Sequence, residues 1–114
     1  MNTNQNLKIF IEVDEFQKPL HTDIQTAFYR ILQEQFNNIV KYAKASSVLI
    51  SIKLDRDNIH LKIKDDGKGF DTTLKKTGIG LENIKRRSHV LGGETKILSS
   101  PGNGCEVNVY IPLN

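Results

Sequence analysis

Three stretches of this chain alternate apolar and polar residues with period two, and no other feature narrows the fold as much. Val48, Ile50, Ile52 and Leu54 face one way while Ser47, Ser51 and Lys53 face the other. Ile59, Leu61 and Ile63 oppose His60, Lys62 and Lys64; Cys105, Val107, Val109 and Ile111 oppose Glu106, Asn108 and Tyr110. Successive strand side chains point to opposite faces. Such alternation specifies a sheet with one face on a core and one in water, which is the habit of antiparallel sheets. Asp55-Arg56-Asp57-Asn58 is a hairpin connection between the first two of these strands. Leu7, Ile9, Ile11 and Val13 add a weaker strand, and residues 94–99 a short one ended by Ser-Pro-Gly.

The apolar face needs a cover, and two helical patterns supply it. Thr22-Asp23-Ile24-Gln25 fits a capping box with Thr22 as N-cap. From there to about Ala45, Ile24, Phe28, Ile31, Leu32, Phe36, Ile39, Val40 and Ala43 fall within one arc at ~100° per residue. Glu34, Asn38, Lys41 and Tyr42 lie along one edge of that arc. A second helix, about Leu81 to Leu91, stops at Gly92-Gly93. Five strands and two main helices make a two-layer α/β sandwich the economical architecture, with a mostly antiparallel sheet covered on one face.

Length and composition bound the rest. With 114 residues, 38% of them hydrophobic, the chain holds one domain, residues 7–114, behind a polar lead-in over residues 1–6. The single cysteine, Cys105, excludes an internal disulfide framework and a multi-cysteine metal site. A net charge of +3 is too mild to indicate nucleic acid, and no aromatic-plus-basic platform supports it. No apolar run approaches the ~20 residues of a membrane span. The expectation is a soluble domain of cytoplasmic type without membrane contact of its own.

Chemistry concentrates where sheet meets helix. Asp65-Asp66-Gly67-Lys68-Gly69-Phe70 follows a strand, and Gly78-Ile79-Gly80-Leu81 opens the second helix. Taken alone, the first is a polar turn. The second lets backbone approach a ligand, and a helix N-terminus offers unpaired N–H groups to an anion. Neither completes a P-loop or a dinucleotide fingerprint. Glu34 and Asn38, spaced i and i+4, project from one helix face. They are either an ordinary solvated edge or a site where a neutral amide oxygen meets Mg²⁺, which prefers one or two protein oxygens plus phosphates and water. Lys41 lies one turn further on, within reach of phosphate oxygens.

Together these segments resemble the ATP-binding domain of histidine kinases. Arg30-Ile-Leu-Gln-Glu34-Gln-Phe-Asn-Asn38-Ile-Val-Lys41-Tyr-Ala43 is similar to its N box. Asp65-Asp-Gly67-Lys-Gly69-Phe resembles the first glycine box, and Gly78-Ile-Gly80-Leu-Glu-Asn-Ile-Lys-Arg-Arg87 the second. Pro101-Gly102-Asn-Gly104-Cys105 and the strand after it are similar to the closing hairpin. The resemblance spans residues 7–114 in the family's order. The short separation of the glycine boxes resembles the nitrate- and lipid-fluidity-sensing subfamily.

The resemblance implies the Bergerat ATP-binding fold, with ATP and Mg²⁺ as cofactors. It implies that Asp65 accepts a hydrogen bond from the adenine amino group and that Gly67 and Gly69 turn the chain beside the base. Asn38 would coordinate Mg²⁺, with Glu34 holding or activating a water. Gly78, Ile79, Gly80 and Leu81 would receive the phosphates, with Lys41 as a neutralising charge. Lys75 and Lys76 are either further phosphate partners or solvated loop charges. Cys105 stands where the family usually has Thr, whose hydroxyl assists the adenine, and Gln35-Phe36 replace a small apolar pair.

The implied activity is transfer of the γ-phosphoryl group to a histidine on a separate dimerisation domain, and indirectly to a response regulator. The parent kinase could be membrane-anchored. His21, His60 and His89 are not in an acceptor context, so the domain is not expected to phosphorylate itself. Alternatives of the same fold are an anti-sigma-type serine kinase and a non-catalytic nucleotide-binding or interaction module. Asn83, Arg86 and Arg87, followed by Gly92-Gly93, favour the histidine-kinase branch over the first. The Cys105 substitution keeps the second open.

Overall fold

A computed structural model of the chain describes residues 7–71 and 81–113. Five strands form one sheet: β1 (Lys8–Val13), β2 (Ser47–Asp55), β3 (Asn58–Asp65), β4 (Glu94–Ser99) and β5 (Cys105–Pro112). Their order is β1-β2-β3-β5-β4. β1 runs parallel to β2, and every other pair is antiparallel. The expected mixed, mostly antiparallel sheet is therefore present. Arg56 and Asp57 close the β2–β3 hairpin, with Arg56 at φ +60°, as the tight, right-twisted two-residue turns require.

The register places Ile50 opposite Ile63, Ile52 opposite Leu61, and Ile63 opposite Val107, so the alternating apolar residues share one face. Helices α1 (Thr22–Asn38) and α2 (Leu81–Val90) supply Ile24, Phe28, Ile31, Leu81 and Ile84 to the core formed there with Ile59, Leu61, Ile63, Val107, Val109 and Ile111. Fully burying each such side chain stabilises by roughly 1.5–3 kcal/mol. The opposite face is mixed, carrying Lys62, Lys64, Glu106 and Asn108 together with Phe10, Leu49 and Leu98. His60 stacks on Tyr110 with ring centroids 4.3 Å apart, and its Nε2 meets Asn108 Oδ1 at 2.8 Å.

Two local features differ from the sequence expectation. His21, not Thr22, is the N-cap of α1: its Nδ1 accepts from Asp23 N–H at 3.3 Å, and its carbonyl accepts from the N–H groups of Ile24 and Gln25. Gln25 reaches instead to the Leu20 carbonyl at 2.6 Å. The helix thus begins one residue earlier than the capping box implies. At the other end, the regular α-helix stops at Asn38 and a π-helical turn, Ile39–Ala43, completes the segment before Lys44 at φ +52°. The wider turn changes the phase of the residues it contains. Val40, placed on the core arc by a 3.6 period, is 60% exposed.

The C-terminus of α2 follows the glycine signal. Gly92, at φ +76°, donates to the His89 carbonyl at 2.9 Å, and Gly93 donates to the Ser88 carbonyl at 2.8 Å. Those bonds satisfy carbonyls the helix end would leave orphaned. The helices do not reach the far edge of the sheet. Ile9, Ile11 and Val13 point to the core side of β1, in register with Val48, Ile50 and Ile52. They remain 45–65% exposed.

Candidate functional site

One cross-strand row organises the site. Val48, Asp65, Cys105 and Ser99 are successive partners across β2, β3, β5 and β4. In an otherwise apolar face this row carries a carboxylate, a thiol and a hydroxyl. α1 crosses at the same end, where Gln35 Nε2 donates to Cys105 Sγ at 3.9 Å and Asn38 Nδ2 donates to Gln35 Oε1 at 3.2 Å. Asn38 and Asp65, distant in sequence, are both tied by short connections to Cys105. Glu34 is half-buried one turn before Asn38, and Lys41 is exposed in the π-helical turn. Leu81 is the first residue of α2 and is buried. Gly78, Ile79 and Gly80, together with Lys75 and Lys76, lie outside the described residues.

Asp65 and Asp66 are neighbours with separate tasks. Asp65 is buried, and its Oδ1 accepts from the Gly67 N–H at 2.8 Å. Its Oδ2 is equally buried, and among the described residues no donor satisfies it. Burial pushes the Asp65 carboxyl above its usual range, the Gly67 N–H partly opposes this, the charge of Asp66 adds to the rise, and the Cys105 N–H, outside hydrogen-bond geometry, opposes it weakly. A buried acceptor without a donor costs about 1–3 kcal/mol, so this atom calls for a ligand that donates. Asp66 points outward. Its Oδ1 accepts from the N–H groups of Ser46 and Ser47 at 2.7 and 2.9 Å, and Oδ2 from the Ser47 hydroxyl at 3.2 Å. Those backbone donors, first Ser47 and then Ser46, hold its carboxyl below the usual range.

The glycines have distinct reasons. A Cβ on Gly67 would collide with the carbonyl oxygen of Ala43, at the end of the π-helical turn. That carbonyl accepts from the Lys68 N–H at 2.8 Å. Gly67 is therefore needed for close approach of loop to helix, and its backbone is not left-handed. Gly69, at φ +63°, packs against the carbonyls of Ser100 and Gly104. Gly102 N–H donates to the Lys68 carbonyl at 2.6 Å, and Ser99 Oγ donates to the Gly104 carbonyl at 2.7 Å while accepting from the Phe70 N–H at 3.0 Å. The loop after β3 is thus clamped between the helix end and the β4–β5 turn.

Ser99, Asp66 and Gln35 are site-supporting residues that pattern reasoning did not assign. Ser99 had no distinguishing signal, whereas Asp66 adjoined a marked carboxylate and Gln35 stood out only as a departure from a small apolar residue. Cys105 is buried, and burial foremost, then the charge of Asp65, pushes its thiol up to about 11. It stays a neutral thiol at physiological pH. A cleft of ≈ 470 Å³ borders Asp65 and Cys105 but is also lined by Lys64, Leu98 and Glu106. Those three belong to the outer face of the sheet, whereas Ile97, Ser99 and Cys105 belong to the core side, so the cleft touches both faces at this end of the sheet.

The family described as histidine kinase-, DNA gyrase B- and HSP90-like ATPase matches residues 23–114. The chain belongs to this family. It is 37% identical over 110 residues to the signal transduction histidine-protein kinase/phosphatase DegS of Brevibacillus brevis, covering 92% of this chain and 28% of that protein. It is 30% identical to the sensor histidine kinase LiaS of Bacillus subtilis, covering 92% and 29% respectively. The ATPase domain described here therefore spans under a third of the length of these relatives. Among solved structures, the histidine kinase AdeS of Acinetobacter baumannii superposes with a TM-score of 0.79 at 24% identity, over 96% of this chain and 55% of that one. The histidine kinase domain of the Erythrobacter litoralis blue-light activated kinase gives 0.79 at 20% identity, over 96% and 53%. The fold is that of histidine-kinase ATPase domains.

Proposed function

We propose that this chain is the ATP·Mg²⁺-binding catalytic domain of a two-component sensor histidine kinase, delivering the γ-phosphoryl group of ATP to a histidine on a separate dimerisation domain. The observation that carries the reading is the buried, unsatisfied Oδ2 of Asp65. An adenine amino group is a donor of the right kind, and an ionised carboxylate is acceptor-only. Guanine presents a carbonyl at the corresponding position and would leave the carboxylate facing another acceptor.

The residues present fit the metal–nucleotide pair. Asn38 supplies a neutral oxygen, and its amide is already oriented by Gln35. Bound Mg²⁺ would neutralise phosphate charge and hold the nucleotide's oxygens in one geometry. Asn38 would hold it, with Glu34 orienting a water beside it. Lys41 would offset phosphate charge from the π-helical turn. Gly78, Ile79, Gly80 and the start of α2 at Leu81 would receive the phosphates. Phosphoryl transfer depends on positioning and charge neutralisation more than on covalent work by the protein. The P–O bond to ADP breaks as an imidazole nitrogen of the partner bonds the phosphorus. A neutral imidazole needs little base assistance, so Glu34 is assigned to orientation and not to proton removal. A response regulator would then take the phosphoryl group from that histidine.

Calorimetric titration with a non-hydrolysable ATP analogue, with and without Mg²⁺, tests the reading. Saturable heat is expected, stronger with Mg²⁺, and nucleotide at ~100 times Kd should stabilise the fold by about 2.7 kcal/mol. Asp65→Asn and Asn38→Asp should each weaken binding. No heat and no thermal stabilisation at millimolar nucleotide would leave a non-binding module of the same fold.

A further inference from the structure

α1 reaches the site with two amide side chains whose hydrogen bonds run in one direction. Asn38 Nδ2 donates to Gln35 Oε1, and Gln35 Nε2 donates onward to Cys105 Sγ on β5. All three side chains are withdrawn from solvent, with Gln35 3% exposed, Cys105 7% and Asn38 8%. Cys105 is in turn the cross-strand partner of Asp65. A continuous buried chain thus joins the residue offered to the cation to the strand pair that faces the base. In the sequence, Gln35 and Cys105 are two separate departures from the family pattern, a long amide for a small apolar residue and a thiol for a hydroxyl. In the fold they touch.

The direction of the chain has a consequence for Asn38. A carboxamide has one donor end and one acceptor end. With its amino group held by Gln35, Asn38 keeps its carbonyl oxygen as the remaining polar end, and oxygen is the atom a hard cation takes. An apolar residue at position 35 would remove that bias and leave the amide free to turn its amino group to the metal. At the other end, the amino group of Gln35 occupies a lone pair of Cys105 Sγ.

We propose that Gln35 is a positioning residue of the nucleotide site. It fixes the Asn38 amide with its oxygen available to Mg²⁺ and couples that orientation to Cys105, so the metal-facing and base-facing halves are set together. This rests on the ATP·Mg²⁺ reading above. A residue that merely fills the core would, when replaced, weaken binding with and without metal alike. A positioning residue weakens chiefly the part of the affinity that Mg²⁺ adds.

The test uses the full 114-residue chain and ADP, titrated with and without Mg²⁺, for wild type, Asn38→Ala, Gln35→Leu and the double variant. Losing one net hydrogen bond's worth of orientation should cut the Mg²⁺-dependent gain in affinity ~5-fold in Gln35→Leu while changing the metal-free Kd by less than about twofold. In the Asn38→Ala background the second substitution should remove nothing more. A Gln35→Leu protein that keeps the wild-type ratio of metal-free to metal-bound Kd, while Asn38→Ala loses it, overturns the positioning role and leaves the ATP·Mg²⁺ reading standing. Wild-type protein that binds no nucleotide, or binds it without regard to Mg²⁺, overturns both. Should Gln35→Leu unfold, Gln35→Met decides the matter: it keeps the length of the side chain but offers Asn38 no amide oxygen and Cys105 no donor, so the Mg²⁺-dependent gain should fall ~5-fold as for leucine. A ratio equal to wild type would sink the proposal.

Discussion

Asp65 and Asp66 stand side by side in the chain and respond to pH with opposite sign. Burial raises the carboxyl of Asp65 in the folded protein. The folded state then binds this proton more tightly than the unfolded one, and stability falls as pH climbs from the ordinary carboxylate value to the raised one. For Asp66 the folded value is depressed. Its contribution is present above the ordinary value and is lost as pH drops through the depressed one. Asp65→Asn should therefore melt higher than wild type at pH 7 without nucleotide, yet gain little from added ATP analogue. Asp66→Ala should melt lower at pH 7, by ~1 kcal/mol of stability for its lost backbone bonds, with the difference vanishing at strongly acid pH. Differential scanning calorimetry across pH distinguishes the two. An Asp65→Asn protein less stable than wild type at pH 7 would mean that Oδ2 is satisfied without a ligand. Nucleotide affinity itself should decline on acidification through the raised Asp65 value, and that decline should be absent in Asp65→Asn.

At the scale of elements, the π-helical turn is the least foreseeable part of the molecule. Period-two alternation marked the strands because an apolar residue recurs at every second position of each run, with Leu49 the one apolar residue on the outer face of β2, and the pairing Ile63–Val107 follows from it. The α2 stop was legible from Gly92-Gly93 for an equally local reason. The π turn has no such signature. Ile39-Val-Lys-Tyr-Ala is a plausible α-helical run, and what distinguishes it is tertiary: the Ala43 carbonyl must meet the Lys68 N–H across a loop in which a Cβ at position 67 would intrude. Gln35 was hidden for a similar reason, since its burial depends on Cys105, 70 residues away. Asp65 could be singled out by resemblance, but its empty hydrogen-bonding position could not. Gly67→Ala should destabilise the fold by about 1–3 kcal/mol through overpacking against that helix end. It should also reduce nucleotide affinity, because the loop carrying it begins at Asp65. A melting midpoint and affinity both equal to wild type would show that the loop can move aside.

Over the whole molecule, stability and apolar patterning part company at one edge. The same alternation that buries Leu61 and Val107 completely places Ile9, Ile11 and Val13 on the core side of β1, where no described helix covers them. Ile11→Lys should accordingly change the unfolding free energy by under ~0.5 kcal/mol, whereas Leu61→Ala should cost roughly 2–5 kcal/mol. Urea titration of both variants reads the contrast, and a large loss from Ile11→Lys would mean that the edge is packed in solution. No described helix is long and apolar enough to cross a membrane. On the proposed function, the phosphoryl acceptor is a histidine of a separate domain. The ring of His60 is stacked on Tyr110 and bonded to Asn108, and His21 caps α1. Incubation with radiolabelled ATP should label a supplied histidine-bearing helical domain and leave this chain unlabelled.

The one cysteine gives the protein an internal clock. Cys105 is the sole thiol in the chain and sits in the wall between Asn38 and Asp65. A thiol reagent can reach it only when that wall parts, because the buried group, held protonated, offers almost no thiolate at neutral pH. Alkylation timed by mass spectrometry would thus report the fraction of time for which that wall stands open. The rate in the presence of nucleotide would report how long the site stays shut.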